Sequence, residues 1–317
     1  MESNPTSPAQ PTIAEVTAVD YWRSICPALT ISDTSTSPIA RIPDLRTVGA
    51  TLREEGYINL PEIFPSETVS LLREGIQRLV DRGVPPPFAF VYDEYWTIFQ
   101  SISTHVSEML GAGYQMLPDI WAWHVKPSSD ASGWPPHRDR PKGTLDPDNT
   151  PRALTVWLPL TDATPLNGCM YVLPARYDPD LHGGTVPEGG IYRLAGADLQ
   201  NIRALPAPAG SLLAWSQALL HWGGRASHLA TAPRCSIAAQ FQRGNLPAFE
   251  APLVDPRKLP PFAARIGLIG HLICGFSGFL NFPAEIRLLA TALKWKYWSR
   301  EATQVPAQGS AHTVRRR

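Results

Sequence analysis

A histidine and an aspartate one residue apart, His137-Arg138-Asp139, are followed 82 residues later by His221. On a β-strand, residues i and i+2 point to the same side. His137 and Asp139 can therefore reach one ion while Arg138 points away. A third ligand so distant in sequence has to arrive on another strand or loop, so the fold closes the site and local sequence does not. Two histidines and one carboxylate form a set that holds a divalent iron on one face and leaves the opposite face open for chemistry. A chain using them together needs a framework in which separated strands meet.

The rest of the pattern supplies such a framework. Prolines number 33 in 317 residues, about twice the usual ~5%, which argues for turns and against a helical bundle. From about 115 to 245, short runs of β-branched, apolar and aromatic residues alternate with Gly, Pro, Asn and Asp. Strands are expected at 117–126, 153–160, 168–173, 211–215 and 235–243, with a turn at Pro165-Leu166-Asn167-Gly168. The fold class is mainly β with flanking helices, a sandwich or barrel of the jelly-roll kind.

Helices are expected on either side. A short one precedes Gly56 and a strand. The next begins at Pro65-Ser66, with Ser66 as N-cap and Val69, Leu72, Ile76 and Leu79 at helical spacing. A third spans Glu94 to Leu110 and a last one 283–298. Between these, 266–280 (IGLIGHLICGFSGFL) is strongly apolar. As a helix it would span only ~22 Å, short of a ~30 Å hydrocarbon core. It reads as a buried helix, a lid over a greasy substrate, or a contact in a homodimer. The chain divides into an N-terminal extension at 1–45, disordered at its start, a catalytic domain at 46–250, an apolar helical extension at 251–300, and a disordered tail at 301–317.

One further strand carries chemistry. In Arg234-Cys235-Ser236-Ile237-Ala238-Ala239-Gln240-Phe241-Gln242, residues Arg234, Ser236, Ala238 and Gln240 share a face. A guanidinium fork and a hydroxyl on one inward face make a carboxylate receptor, and the small Ala238 leaves room for a ligand. Arg225, four residues after His221, is the rival for the same role.

With these residues the chain resembles the phytanoyl-CoA dioxygenase family of iron(II)/2-oxoglutarate-dependent oxygenases. The resemblance runs over roughly 50–245, through LREEGYINLPEIF, HVKPSSDASGWPPHRD, LTVWLPLTDATPLNGCMYVLP and HWGG…APRCSIAAQF. It implies a double-stranded β-helix (cupin-like) core. It implies that His137, Asp139 and His221 bind Fe(II), that 2-oxoglutarate and O2 are co-substrates, and that Arg234 anchors the far carboxylate of 2-oxoglutarate with Ser236 assisting. Trp157 would line the same pocket. A carboxylate at position 139 favours hydroxylation over halogenation, for which related enzymes carry a small residue there. Two features depart from the family: its Pro-Gly-Ser-His is here Pro174-Ala175-Arg176-Tyr177, and its upstream lysine has no clear counterpart.

Composition excludes several alternatives. Lys+Arg and Asp+Glu balance at 28 each, so no basic field points to nucleic acid. The cysteines Cys26, Cys169, Cys235 and Cys274 show no zinc spacing. They read as free thiols of a reducing compartment, and with no signal-peptide pattern a cytoplasmic location is expected. Membrane contact is not expected. His124 reads as a core histidine, His182 and His228 as exposed, and Trp134 with the 183–190 glycines as the rim of an entrance. The substrate is expected to be a small, apolar or lipid-like molecule. The alternatives are a non-catalytic jelly-roll protein that binds a hydrophobic metabolite or partner, and a cupin-like hydrolase or isomerase using another metal.

Overall fold

A computed structural model describes residues 10–32, 47–127, 133–184, 186–187, 190–194 and 198–298. Of the ends expected to be disordered, residues 1–9 and the tail at 301–317 lie outside the described residues, as does part of the 183–190 glycine loop.

Two antiparallel sheets form the centre. The larger contains β1 (Tyr57–Leu60), β7 (Leu212–Ser216), β4 (Ala153–Pro159), β9 (Arg234–Gln242) and β2 (Gln115–Val125), in that order. The smaller contains β3 (Trp134–His137), β8 (His221–Gly223), β5 (Met170–Val172) and β6 (Arg203–Leu205). Register in the large sheet places Trp157 between Leu213 and Ala238, and Val156 between Ala214 and Ala239. Because strand side chains alternate, each strand serves two compartments. Leu154, Val156, Ile237, Ala239 and Phe241 join the core beneath the helices. Trp157, Leu213 and Trp215 join a second core with Met170, Val172 and Leu205 of the small sheet. The second compartment holds the site.

The helices seal the outer compartment. Gly56, with φ 81°, ends α3 (Val48–Glu55) in the left-handed conformation that glycine adopts most freely, and turns the chain into β1. Helix α4 (Ser66–Asp81) buries Val69, Leu72, Ile76 and Leu79, one stripe at 3.6-residue spacing. Its N-cap is Pro65, and Ser66 is the first helical residue without a side-chain cap, one position from the expectation.

The helix expected over 94–110 is two: α5 (Glu94–Ser101) and α6 (Ser103–Leu110), broken at Ile102. The Ser101 hydroxyl donates to the Ile98 carbonyl at 2.7 Å, a local bond that competes with helix continuation.

Two short N-terminal helices, α1 (Ile13–Val16) and α2 (Val19–Ile25), were not legible in the sequence. A Thr12–Glu15 capping box starts α1. The fully buried Trp22 stacks on Phe88 at 5.3 Å. Arg265 of α7 (Phe262–Phe276) pairs with Asp93 at 2.6 Å with both side chains buried, and donates to the Ser32 carbonyl.

The apolar segment is mostly α7, whose Ile266, Leu268, Ile269 and Ile273 are buried. It packs on α8 (Ala284–Tyr297). A Cβ on Gly270 would meet the Ala290 carbonyl at 2.7 Å, so only glycine permits this approach. Among the described residues no helix is long and apolar enough to cross a membrane.

A candidate metal centre in a buried cavity

Strand β3 lies at the edge of the small sheet, the place where Pro135 and Pro136 cost no ladder hydrogen bonds. The strand ends at His137, and Asp139 sits in the bend that follows. The expectation of a strand continuing through Asp139 is therefore corrected, and the prolines on both sides give the reason. The side chains converge nonetheless. His137 pairs directly with His221 across β3 and β8, and their rings are 4.3 Å apart.

Asp139 Oδ1 lies 3.6 Å from His137 Nε2 and 3.6 Å from His221 Nε2. The ligand atoms of His137, Asp139 and His221 all fall within 4.8 Å of one another. Such separations suit one ion with bonds of about 2.0–2.2 Å to nitrogen and oxygen.

Outer contacts orient all three groups. His137 Nδ1 donates to the Pro135 carbonyl at 2.8 Å, and His221 Nδ1 donates to the Leu219 carbonyl at 3.0 Å. A carbonyl can only accept, so both protons sit on Nδ1 and both Nε2 lone pairs face inward. Asp139 Oδ2 accepts from the Thr155 hydroxyl at 2.5 Å and from the Trp215 indole at 3.2 Å, leaving Oδ1 for the centre.

Electrostatics agree with the geometry. Burial pushes His221 down to about 4, which keeps the imidazole neutral and available as a ligand. Burial would raise Asp139, but His221, His137 and the Thr155 hydroxyl hold it well below the usual carboxylate range. Arg138 points out of this centre and is locked by Asp178, at 2.6 and 2.9 Å, with both side chains buried.

A cavity of about 830 Å³ opens above the triad, lined in part by Arg234, Trp157, Met170, Trp123 and Trp134. Arg234 is 5% exposed. Its guanidinium lies 5.7 Å from the Trp157 ring centroid and 4.0 Å from the Met170 sulfur, with no ion-pair partner among the described residues. Burial pushes it down to about 10. Its Nε and the hydroxyl of fully buried Ser236 both lack a hydrogen-bond partner. An unpaired buried cation is costly, so this pair calls for an anion. A Cβ at Gly223 would sit 3.9 Å from Arg234 Nη2, which places the guanidinium two residues along β8 from His221. That separation is about 7 Å, a span a five-carbon dicarboxylic acid can bridge.

The residue-level expectations sort as follows. His137, Asp139 and His221 converge. Arg234 and Trp157 line the same cavity, and Ser236 follows Arg234 on its strand face without lining the cavity. Arg225, His182 and His228 are exposed. His124 Nε2 bonds Gln77 at 3.0 Å and is a structural histidine at the rim. Trp134 lines the cavity and meets the His137 ring edge-on at 5.9 Å. Sequence reading missed Thr155, Trp215 and Asp119. The first had a signal, since Thr155 shares the inward face of Trp157.

Comparison with known proteins bears on this geometry. Residues 93–228 match the phytanoyl-CoA dioxygenase (PhyH) family. The match includes all three triad residues and stops short of Arg234. No curated protein sequence matches the chain. Among the solved structures that resemble the fold are the following. The epimerase SnoN in complex with Fe3+, alpha ketoglutarate and nogalamycin RO has TM-score 0.53 and 16% identity, covering 68% of this chain and 97% of that one. The apo non-heme monooxygenase ThoJ has TM-score 0.52 and 15% identity, over 77% and 99%. HygX from Streptomyces hygroscopicus with nickel and 2-oxoglutarate bound has TM-score 0.51 and 14% identity, over 66% and 90%. The match is to part of the chain, and the inward-facing donor set and the buried cation fit iron and 2-oxoglutarate.

Proposed function

We propose that this protein is an iron(II)- and 2-oxoglutarate-dependent oxygenase that oxidises a C–H bond of a small, largely apolar molecule, with release of succinate and CO2. The PhyH-like domain at 93–228 is the premise. The observation that carries the reading is Asp139 Oδ1 facing two Nε2 atoms at 3.6 Å with both imidazole tautomers fixed. The two-sheet arrangement supports a double-stranded β-helix as the core.

In this reading His137, Asp139 and His221 hold Fe(II), and Arg234 receives the distal carboxylate of 2-oxoglutarate beside Trp157, with Ser236 behind it on the same strand face. The ion, when bound, supplies the redox chemistry that couples 2-oxoglutarate decarboxylation to oxidation of the substrate. The protein contributes the rest. Thr155 and Trp215 keep Oδ1 of Asp139 turned to the ion. The Arg138–Asp178 pair fixes the backbone between two ligands. The aromatic walls exclude water from reactive species. Hydroxylation is the simplest outcome, and the likeness to an epimerase keeps other products of C–H oxidation within the class.

Anaerobic addition of Fe(II) and then 2-oxoglutarate should produce a visible charge-transfer absorption, and admission of air should yield slow succinate without a prime substrate. Neither signal should survive His137→Ala. Wild-type protein lacking both would overturn the proposal in favour of a non-catalytic binding protein.

A further inference from the structure

Part of the cavity wall is left unexplained by the metal and 2-oxoglutarate. It combines two parts of the chain distant in sequence. Strand β2 contributes Trp121 and Trp123, the end of α7 contributes Phe276, and the α7–α8 connection contributes Phe279 and Phe282. Trp134 joins them from β3. The rings pack closely: Trp121–Phe276 at 4.3 Å, Trp123–Trp134 at 5.4 Å and Trp134–Phe279 at 5.5 Å. Phe279 stays 60% exposed although it belongs to this wall, as a ring at the mouth of a binding site would be.

One polar group interrupts the apolar wall. The register between β2 and β9 shifts between Met116 and Ile120. A bulge of this kind re-aims side chains, and Asp119 lies inside it and lines the cavity. The carboxyl has no hydrogen bond or ion pair among the described residues. The nearby cation is Arg140, whose guanidinium is already committed to Gln217, Gln240 and Glu250. Burial pushes Asp119 up to about 7. No step of the proposed oxygenase chemistry uses it. Asp119 thus shares the cavity with the aromatic wall, within electrostatic reach of His137 and Asp139, and its free carboxyl can accept a hydrogen bond from a bound molecule.

Charge narrows the ligand further. Of the cationic side chains lining the cavity, Arg138 is paired with Asp178, Arg234 lies beside Trp157 and Met170, and Lys126 is exposed at the rim. Among the described residues no cluster of cations could take a phosphate or an acyl-CoA head group, and Asp119 repels a carboxylate.

We propose that the prime substrate is a rigid, ring-bearing apolar molecule that lies against the Trp121–Trp123–Trp134–Phe279 wall and donates a hydrogen bond from an amine or alcohol to Asp119. The inference rests on the oxygenase reading for its meaning, but its test reads binding alone. The probes are adamantan-1-amine, adamantan-1-ol and adamantane-1-carboxylate, titrated into full-length protein loaded with Ni(II) and 2-oxoglutarate. Quenching of tryptophan fluorescence is the readout.

The amine and alcohol should bind, with the carboxylate weaker by about tenfold or more. Asp119→Asn should abolish the preference of amine over alcohol, and Asp119→Leu should weaken both by about tenfold. Phe279→Ala, at an exposed position that folding does not require, should weaken all three probes together. Equal binding of carboxylate and amine, an unchanged amine-to-alcohol ratio in Asp119→Asn, or no quenching by any probe at millimolar concentration would overturn the assignment. Succinate formation by wild-type protein without probe tests the oxygenase reading separately, so failure of one leaves the other readable.

Discussion

The two faces of the large sheet are built from the same strands to opposite rules. Outward, β4 and β9 present Leu154, Val156, Leu158, Ile237, Ala239 and Phe241, all at most 1% exposed and without a polar atom among their side chains. Inward, the alternating positions of those strands are Thr155, Trp157, Arg234, Ser236 and Gln240. Several of these carry polar groups, and two of them, Arg234 and Ser236, hold atoms without a hydrogen-bond partner among the described residues. The outer face is finished by the protein itself, whereas the inner face is completed by ligands. Stability and chemistry are therefore divided residue by residue along one strand, and substitutions one position apart should fail in different ways.

The largest contrast sets Asp139 against Phe241. Asp139→Ala removes one of three ligands. Metal retention and uncoupled succinate should fall by more than the roughly 100-fold that outer contacts of a metal site can command, while metal-free protein loses about 1–3 kcal/mol from the two donors left unpaired. Phe241→Ala opens a hole beside Phe99 and Tyr114, whose rings lie 6.2 and 5.7 Å away. It should cost about 3–5 kcal/mol in urea unfolding, and whatever remains folded should still bind metal. If Asp139→Ala proves as unstable as Phe241→Ala, the division between the faces is false. Thr155→Val sharpens it. Shape is kept and the hydrogen bond to Asp139 is lost, so iron affinity should drop about 10- to 100-fold with less than about 1.5 kcal/mol lost in stability.

The same division decides what could be read from the sequence. His137, Asp139, His221, Arg234 and Ser236 stood out because imidazole, carboxylate and guanidinium are scarce in β-runs and their spacing obeys strand alternation. Thr155 and Trp215 did not, because threonine and tryptophan are ordinary strand formers and only three-dimensional register shows them holding Asp139. Asp119 was hidden for a related reason, since a bulge depends on which strands pair. Strands β3, β6 and β8, at four, three and three residues, are too short or too proline-rich to carry a period. The apolar run at 266–280 offered a buried helix, a lid or a homodimer contact; it forms a buried helix through Phe276, and Phe279 and Leu280 belong to the cavity wall.

Arg234 should give a smaller effect of opposite sign to the outer face. Removing an unpaired buried cation relieves desolvation, so Arg234→Met should leave metal-free protein as stable as wild type or more stable by about 1 kcal/mol. Its KM for 2-oxoglutarate should rise while iron affinity holds. A destabilised Arg234→Met would mean that the guanidinium has a structural partner within the fold.

The smallest effect is the most diagnostic, because it depends on pH. Asp119 titrates near 7 in the folded protein against an ordinary value of 3.8, chiefly because burial disfavours its charge. Asp139 and Glu250 push it further up, and Arg140 and His137 pull it down. With the folded value raised, the native state holds a proton that the unfolded chain has already released. Stability is therefore lost progressively as pH rises from about 4 to about 7 and is constant above. Asn at this position has nothing to titrate. Metal-free Asp119→Asn should thus melt above wild type by an amount that is smaller at about pH 5 than at about pH 8, where a gain near 1 kcal/mol corresponds to roughly 2–4 °C. A gap that does not change with pH would mean that the carboxyl is already satisfied inside the protein. It would then belong with the self-sufficient outer face rather than with the face that waits for a ligand.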